Sequence, residues 1–147
     1  MGQLDTTRQA GCELCVTDGG FLVVRNVKLR VIRVLDVDYP GFYRVIWNDH
    51  LAEFTDLSTA DRVYLMEVVS KVESLVREHL QPMKVNLASL GNVVPHLHWH
   101  VIARFDDDKH FPQPIWGSAQ REIPPKQWDH LRAELPLLDT AIHAAVS

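Results

Sequence analysis

His96-Leu97-His98-Trp99-His100-Val101-Ile102 is the stretch whose reading decides the fold. Read as a strand, successive side chains alternate in direction. His96, His98 and His100 then share one face, and Leu97, Trp99 and Val101 share the other. Trp, Val and Ile suit a pleated, half-buried surface. Pro95 stands at the strand entrance, where a missing amide does least harm. A helix would scatter the three imidazoles around its circumference. The expectation is a strand with one apolar face on a core and one working face of three histidines.

Upstream of this strand, Met83 to Leu90 alternates as a second strand, and Gly91-Asn92 reads as a tight turn between the two. So short a connection requires antiparallel pairing. Before it lies the clearest helix, starting at Ser58, whose hydroxyl can cap the first turn while Asp61 favours the helix dipole. Val63, Met66, Val69, Val72, Val76 and Leu80 recur at spacings of three and four and predict one apolar stripe. Pro82 stops the helix. Asn48 to Asp56 reads as a loop with one helical turn. Phe21–Val24, Leu29–Asp36 and Phe42–Trp47 supply earlier strands, punctuated by Asp18-Gly19-Gly20 and Tyr39-Pro40-Gly41. Downstream, Asp106-Asp107-Asp108 reads as a solvated loop and 110–125 as an irregular Pro- and Trp-rich segment. Gln127–Leu135 and Leu137–Ala145 read as short helices separated by Pro136. Strands, a long helix, then two more strands make an α+β domain with an antiparallel sheet, not a βαβ array.

The 147 residues suit one domain, 46% hydrophobic and 23% charged, an ordinary globular composition. Residues 1–11 read as a flexible leader and 12–147 as the domain, with 12–104 its core and 105–147 a variable extension. A net charge of −4 argues against a broad basic surface for nucleic acid. No apolar run approaches about 18 residues, so no membrane partner is expected. The polar start lacks a signal-peptide apolar region, so a cytoplasmic location is expected. Cys12 and Cys15 are the only two cysteines. Their spacing fits a metal-ligand or redox pair better than a disulfide framework.

Three uses of a histidine face compete. Two imidazoles at i and i+2 can share a metal with a third ligand from elsewhere. A neutral imidazole is a good nucleophile near pH 7 and can split a hard displacement at phosphorus into two easier steps. The bland use is an exposed polar face. Phosphoryl chemistry also needs donors for the non-bridging oxygens. The amides around Gly91-Asn92-Val93-Val94 can cradle a phosphate. Asn86 sits on the adjoining strand, in reach of His96 or His98 if the hairpin closes at Gly91-Asn92. A mononuclear metalloenzyme more often supplies a carboxylate here, and neither strand carries one.

His96 to Ile102 fits the pattern His-φ-His-φ-His-φ-φ, with φ an apolar residue. With the Cys-x-x-Cys, the Asp36–Pro40 turn, His50, the long helix, Asn86 and Gly91 in order before it, the chain resembles the histidine triad (HIT) superfamily from about Cys12 to Arg104. The resemblance implies an α+β fold with an antiparallel sheet of about five strands, and often a homodimer. It implies a purine nucleotide substrate, cut at the α-phosphate through a nucleotidyl-histidine. It makes His98 the nucleophile, His100 an α-phosphate contact and His96 a support. Asn86, Asn92 and Val93 fall in the nucleotide-binding set, Asp36 is to hold the ribose, and a Gly91 carbonyl is to orient His98. Catalysis of this kind requires no cofactor. Cys12, Cys15, His50 and His96 match positions that bind a structural zinc in some bacterial relatives, and such a set suits zinc chemically.

Two departures stand out. The family often has Gly-Gln-Ser/Thr-Val where this chain has Gly91-Asn92-Val93-Val94, so a hydroxyl is missing at Val93. Many members also carry a His where this chain has Phe42. The expected function is hydrolysis of a nucleoside phosphoramidate or dinucleoside polyphosphate. Its rivals are a nucleotide-binding regulatory protein with little turnover and a metalloenzyme using the triad as ligands. Trp116 is expected in core packing rather than reaching a neighbouring subunit or capping the nucleotide site, Leu22 or Ile32 near a base pocket, His79 as a charge at a helix end, and His110, His130 and His143 on the surface.

Overall fold

The computed structural model describes residues 8–147. Five antiparallel strands form one sheet in the order β1-β2-β3-β5-β4. They are β1 Phe21–Arg25, β2 Leu29–Arg33, β3 Phe42–Trp47, β4 Lys84–Ala88 and β5 His98–Arg104. The helices are α1 Glu13–Val16, α2 Thr59–Leu80 and α3 Asp129–Val146. A 3₁₀ turn over Phe54–Asp56 is the helical turn expected between β3 and α2. The α+β architecture and the antiparallel β4–β5 pair are as expected. Of the leader expected over 1–11, residues 1–7 lie outside the described residues.

The alternation rule divides the sheet into two faces. Leu29 and Val31 of β2, Tyr43, Val45 and Trp47 of β3, and Val101 and Ala103 of β5 face the main core. Against them pack Leu65, Val68, Val69, Val72, Val76 and Leu80 of α2 and Leu131, Leu135, Leu138, Ile142 and Val146 of α3. Trp99 packs here too, edge-on to Phe54. The opposite face is covered in patches. Leu14 of α1 lies on Ile32 and Ile46, and Tyr39, Phe42 and Ile102 form a second patch with Ile115. Both faces of the central strands are therefore occupied, and β2 and β3 carry apolar residues on both, interrupted by Arg30, Arg33 and Arg44.

Helix α2 begins as its sequence dictates, with the Ser58 hydroxyl accepting from the Asp61 amide. It ends at Gln81 in the left-handed region, followed by Pro82. Its buried stripe starts at Leu65 and Val68, while Val63 is exposed. Both sets are apolar and helically spaced, and only the packing against the sheet selects between them.

Four other expectations are corrected. The triad strand begins at His98, and His96 lies in the segment leading into it. The Leu97 amide donates to the Leu51 carbonyl, and the Leu97 carbonyl accepts from the Trp47 amide. The β4–β5 connection spans residues 89–97 rather than a tight turn at Gly91-Asn92, although Gly91 does take a positive φ of 76°. The C-terminal segment is one helix with Pro136 inside it. Leu131, Leu135, Leu138 and Ile142 anchor it on both sides of that residue, and their burial outweighs the lost bond. Asp108 is not solvated. It is 1% exposed, pairs with the buried Arg104 at 2.8 Å and accepts from the amides of Phe105, His110 and Phe111. That ion pair fixes the start of the irregular segment, and His110 is drawn in with it, its Nδ1 2.6 Å from the Tyr39 hydroxyl.

Candidate active site

On the face away from the main core, β3 and β5 set side chains in register. His98 lies opposite Ile46, and His100 lies opposite Arg44. The imidazoles of His98 and His100 are 4.9 Å apart, nearly perpendicular and almost fully buried. They form the floor of a cavity of about 540 Å³. Leu90 to Val94 make one wall, Glu13 and Leu14 of α1 another, and Arg44 and Trp116 complete it.

The hydrogen bonds give the two histidines opposite chemical characters. His98 Nδ1 sits 2.6 Å from the backbone carbonyl of His96. A carbonyl only accepts, so Nδ1 carries the proton and Nε2 keeps its lone pair. His100 Nδ1 instead lies 3.3 Å from Nε of Arg44, which donates to it. A guanidinium only donates, so His100 Nδ1 is bare and its proton sits on Nε2. One ring thus offers a nucleophile and its neighbour a hydrogen-bond donor. Burial pulls the pKa of His98 down, against the hydrogen bond to His96. Burial, reinforced by the charges of His98 and Arg44, brings His100 to about 3. Both rings are neutral at neutral pH.

The segment before β5 adds further donors. Among the described residues, the amides of Gly91, Asn92, Val93 and Val94 donate to no other group. The four residues lie along one wall of the cavity, and free amides in such a segment can cradle a phosphate.

The carbonyl that orients His98 belongs to His96, not to Gly91 as expected. Asn86 pairs in register with Ile102, two residues beyond His100, and its Oδ1 accepts from Arg104 at 2.7 Å, so the geometry gives it to the ion pair rather than to the cavity. The longer 89–97 connection is the reason, since it carries Asn86 away from His98. Asp36 accepts the Asp38 amide in its own turn and does not line the cavity. Ile32 is buried beneath Leu14, and Leu22 lines a separate depression beside α3. Trp116 is not core packing: it is half exposed and stands edge-on to His100 at 4.9 Å.

Arg44 and Glu13 were not identified from the sequence. Arg44 sits in an apolar run, where a charge facing away from the helices signals a site on the other face, and that is the cue that could have found it. Nothing in the sequence distinguishes Glu13 from a helix-start acid.

His96 turns away from the cavity. Cys12, Cys15, His50 and His96 bring four ligand atoms within 4.8 Å of one another. Nδ1 of His96 is 3.5 Å from each Sγ, and Nδ1 of His50 is 3.4 Å from Cys15 Sγ. A tetrahedron with zinc–sulfur bonds near 2.3 Å and zinc–nitrogen bonds near 2.1 Å has sulfur–nitrogen edges of about 3.6 Å. The donor set therefore fits a metal in identity and in spacing. His96 Nε2 donates to the Trp47 carbonyl at 2.6 Å, leaving Nδ1 free to ligate. The Gln9 amide donates to Cys15 Sγ, as amides do toward thiolates. Both cysteines are free of disulfide bonding.

A sheet with one face covered by a long helix and the other carrying paired imidazoles of opposite tautomer beneath an amide-lined loop is an arrangement that can hold and attack a phosphoryl group. A family model described as HIT domain matches residues 19–107, and the chain belongs to that family. The family lies in a superfamily of nucleotide-binding proteins and hydrolases. The chain is similar to a histidine triad protein from Bradyrhizobium japonicum, at 26% identity over 90% of this chain and 94% of that one, with a TM-score of 0.71. It is also similar to a histidine triad protein from Marinobacter aquaeolei, at 24% identity over 96% and 99% of the two chains, with a TM-score of 0.72. A hypothetical histidine triad nucleotide-binding protein from Sulfolobus tokodaii shares the fold, at 19% identity over 86% and 83%, with a TM-score of 0.57. No curated protein matches the chain. No helix among the described residues is long and apolar enough to cross a membrane.

Proposed function

We propose that the chain is a nucleotide hydrolase that cuts at the α-phosphate of a nucleoside phosphoramidate or dinucleoside polyphosphate, through a nucleotidyl-His98 intermediate. The observation that carries this reading is the pair of opposite tautomers: a lone pair at His98 Nε2 beside a proton at His100 Nε2. His98 Nε2 attacks the α-phosphorus. The bond to the leaving group breaks, and its electron pair departs with the leaving atom, an oxygen that leaves as the anion or a nitrogen that takes a proton from solvent to leave as the amine. His100 Nε2–H and the amides of Gly91 to Val94 take the charge on the phosphoryl oxygens. Water then releases the nucleotide and restores the His98 lone pair. Each such donor is worth on the order of a hundredfold in rate. A purine base and a homodimer belong to the same reading, as the family resemblance implies.

The Cys12, Cys15, His50 and His96 set supports a structural zinc. When bound, zinc would tie α1 and the start of β5 together, and it supplies no step of the reaction. His96 would then serve twice, through Nδ1 toward the metal and through its carbonyl toward His98.

The test is to replace His98 by Ala. Release of nucleoside monophosphate is expected to fall by on the order of ten-thousandfold or more, with nucleotide binding retained. A variant that turns over at the wild-type rate removes the mechanism. A wild-type protein that binds nucleotide and never releases product leaves a regulatory binding protein in its place.

A further inference from the structure

Two arginines, Arg30 and Arg44, lie on the site face of adjacent strands and differ in what surrounds them. Arg30 is saturated: its guanidinium donates to the carbonyls of Leu14, Thr17 and Asp18 and to the Asn48 side chain. It holds the α1 segment in place. Arg44 is half-buried and lines the cavity. Among the described residues its one hydrogen bond is from Nε to His100, and no carboxylate lies within ion-pair distance. Glu13 is the acid nearest enough to act on it, and Glu13 is exposed. Phe42 covers one side of the guanidinium at 5.4 Å. Among the described residues, both Nη groups are left without a partner. A half-buried cation with a free planar fork calls for an anion that enters with the ligand.

Resting on the function proposed above, we infer that Arg44 binds a phosphate of the leaving group, and that it makes the chain selective for dinucleoside polyphosphates over phosphoramidates. The placement argues for this. Arg44 is directly across from His100 and diagonal to His98. The α-phosphate has its own donors in His100 Nε2–H and the unpaired amides of Gly91 to Val94. The guanidinium charge is surplus to that phosphate and meets the next one along the chain. Val93 brings no hydroxyl to the loop, so position 93 offers the leaving group no side-chain donor. When His98 Nε2 bonds to the α-phosphorus, the phosphoanhydride P–O bond breaks. Its electron pair stays on the bridging oxygen, and the leaving polyphosphate gains a negative charge that Arg44 stabilises. A phosphoramidate releases an amine, on which a neighbouring cation confers no advantage.

The experiment measures kcat/KM for a dinucleoside tetraphosphate and for a nucleoside 5′-phosphoramidate, in wild type, Arg44→Gln and Arg44→Lys. Both activities are expected to fall in Arg44→Gln, because the donor to His100 is disturbed. The ratio of polyphosphate to phosphoramidate activity is expected to fall further, by about a hundredfold, and Arg44→Lys recovers part of it. Inorganic pyrophosphate, as a competitive inhibitor of phosphoramidate hydrolysis, is expected to weaken about tenfold or more in Arg44→Gln. A ratio that stays within about threefold of wild type, with unchanged pyrophosphate inhibition, overturns the inference and leaves Arg44 as a positioning residue for His100 alone. Wild-type protein that splits neither substrate overturns the underlying function instead.

Discussion

At the scale of single residues, the site depends on which nitrogen of each ring holds the proton. A carbonyl at His98 and a guanidinium at His100 set that pattern without any acid in the triad. Buried neutral histidines also tie stability to pH. The unfolded chain binds a proton at His100 near pH 6.5, and the folded chain does so only at about 3. Between those values the unfolded state holds more protons at this position, so stability falls as pH drops through that window. His98 is shifted in the same direction. Urea unfolding at pH 7, 5.5 and 4.5 is expected to show that decline, with a shallower slope in His100→Asn. Equal slopes in the two proteins would contradict it. The alternation of His98 and His100 was legible in the sequence because strand geometry has a strict period. The orienting carbonyl was not, since choosing between Gly91 and His96 needs the path of a long loop. The charge of Arg44 in an apolar strand marks the site face in the sequence, but its role beside His100 follows only from the cross-strand register.

At the scale of elements, two tethers hold the site. The first is the Cys12, Cys15, His50 and His96 cluster, which joins α1 and the β3–α2 loop to the entry of β5. Burial foremost pushes the Cys15 thiol up, so a metal that ligates it displaces a proton. Protein purified without added metal is expected to carry about one zinc per chain, and Cys15→Ser is expected to lose it with a lower melting temperature. Zinc-free wild type of unchanged stability would leave the cluster as ordinary packing. The second tether is the buried Arg104–Asp108 pair, which also engages Asn86 and the Gln113 carbonyl. Asp108→Asn leaves a buried guanidinium uncompensated and is expected to cost about 3–5 kcal/mol by denaturant unfolding. It also loosens the segment that places Trp116 beside His100. The long helix and its cap were legible from spacing and one hydroxyl. Asp106 and Asp107 are exposed, as the composition of the acidic run says, while the burial of Asp108 is explained only by Arg104, four residues earlier.

At the scale of the whole molecule, one sheet separates structure from chemistry. The helices α2 and α3 bury one face, and the other carries the cavity beneath α1, the 89–97 segment and Trp116. The long helix, the strands and the antiparallel pairing of β4 with β5 followed from the periodicities of the sequence, whereas the order of the strands and the start of the helix's buried stripe are set by the packing. The cover of the site face did not, because α1, the loop and the tail are irregular and meet only in three dimensions. Residues beyond Arg104 therefore contribute more than their sequence suggested, Trp116 to the cavity and α3 to the core. The central claim is that His98 becomes covalently nucleotidylated. Acid-quench trapping with α-phosphate-labelled substrate tests it most directly. Label retained on wild-type protein, acid-labile and mapping to His98, with none on His98→Ala, is the predicted result. Product released at full rate with no label trapped at any quench time, or label that persists on His98→Ala, would contradict it.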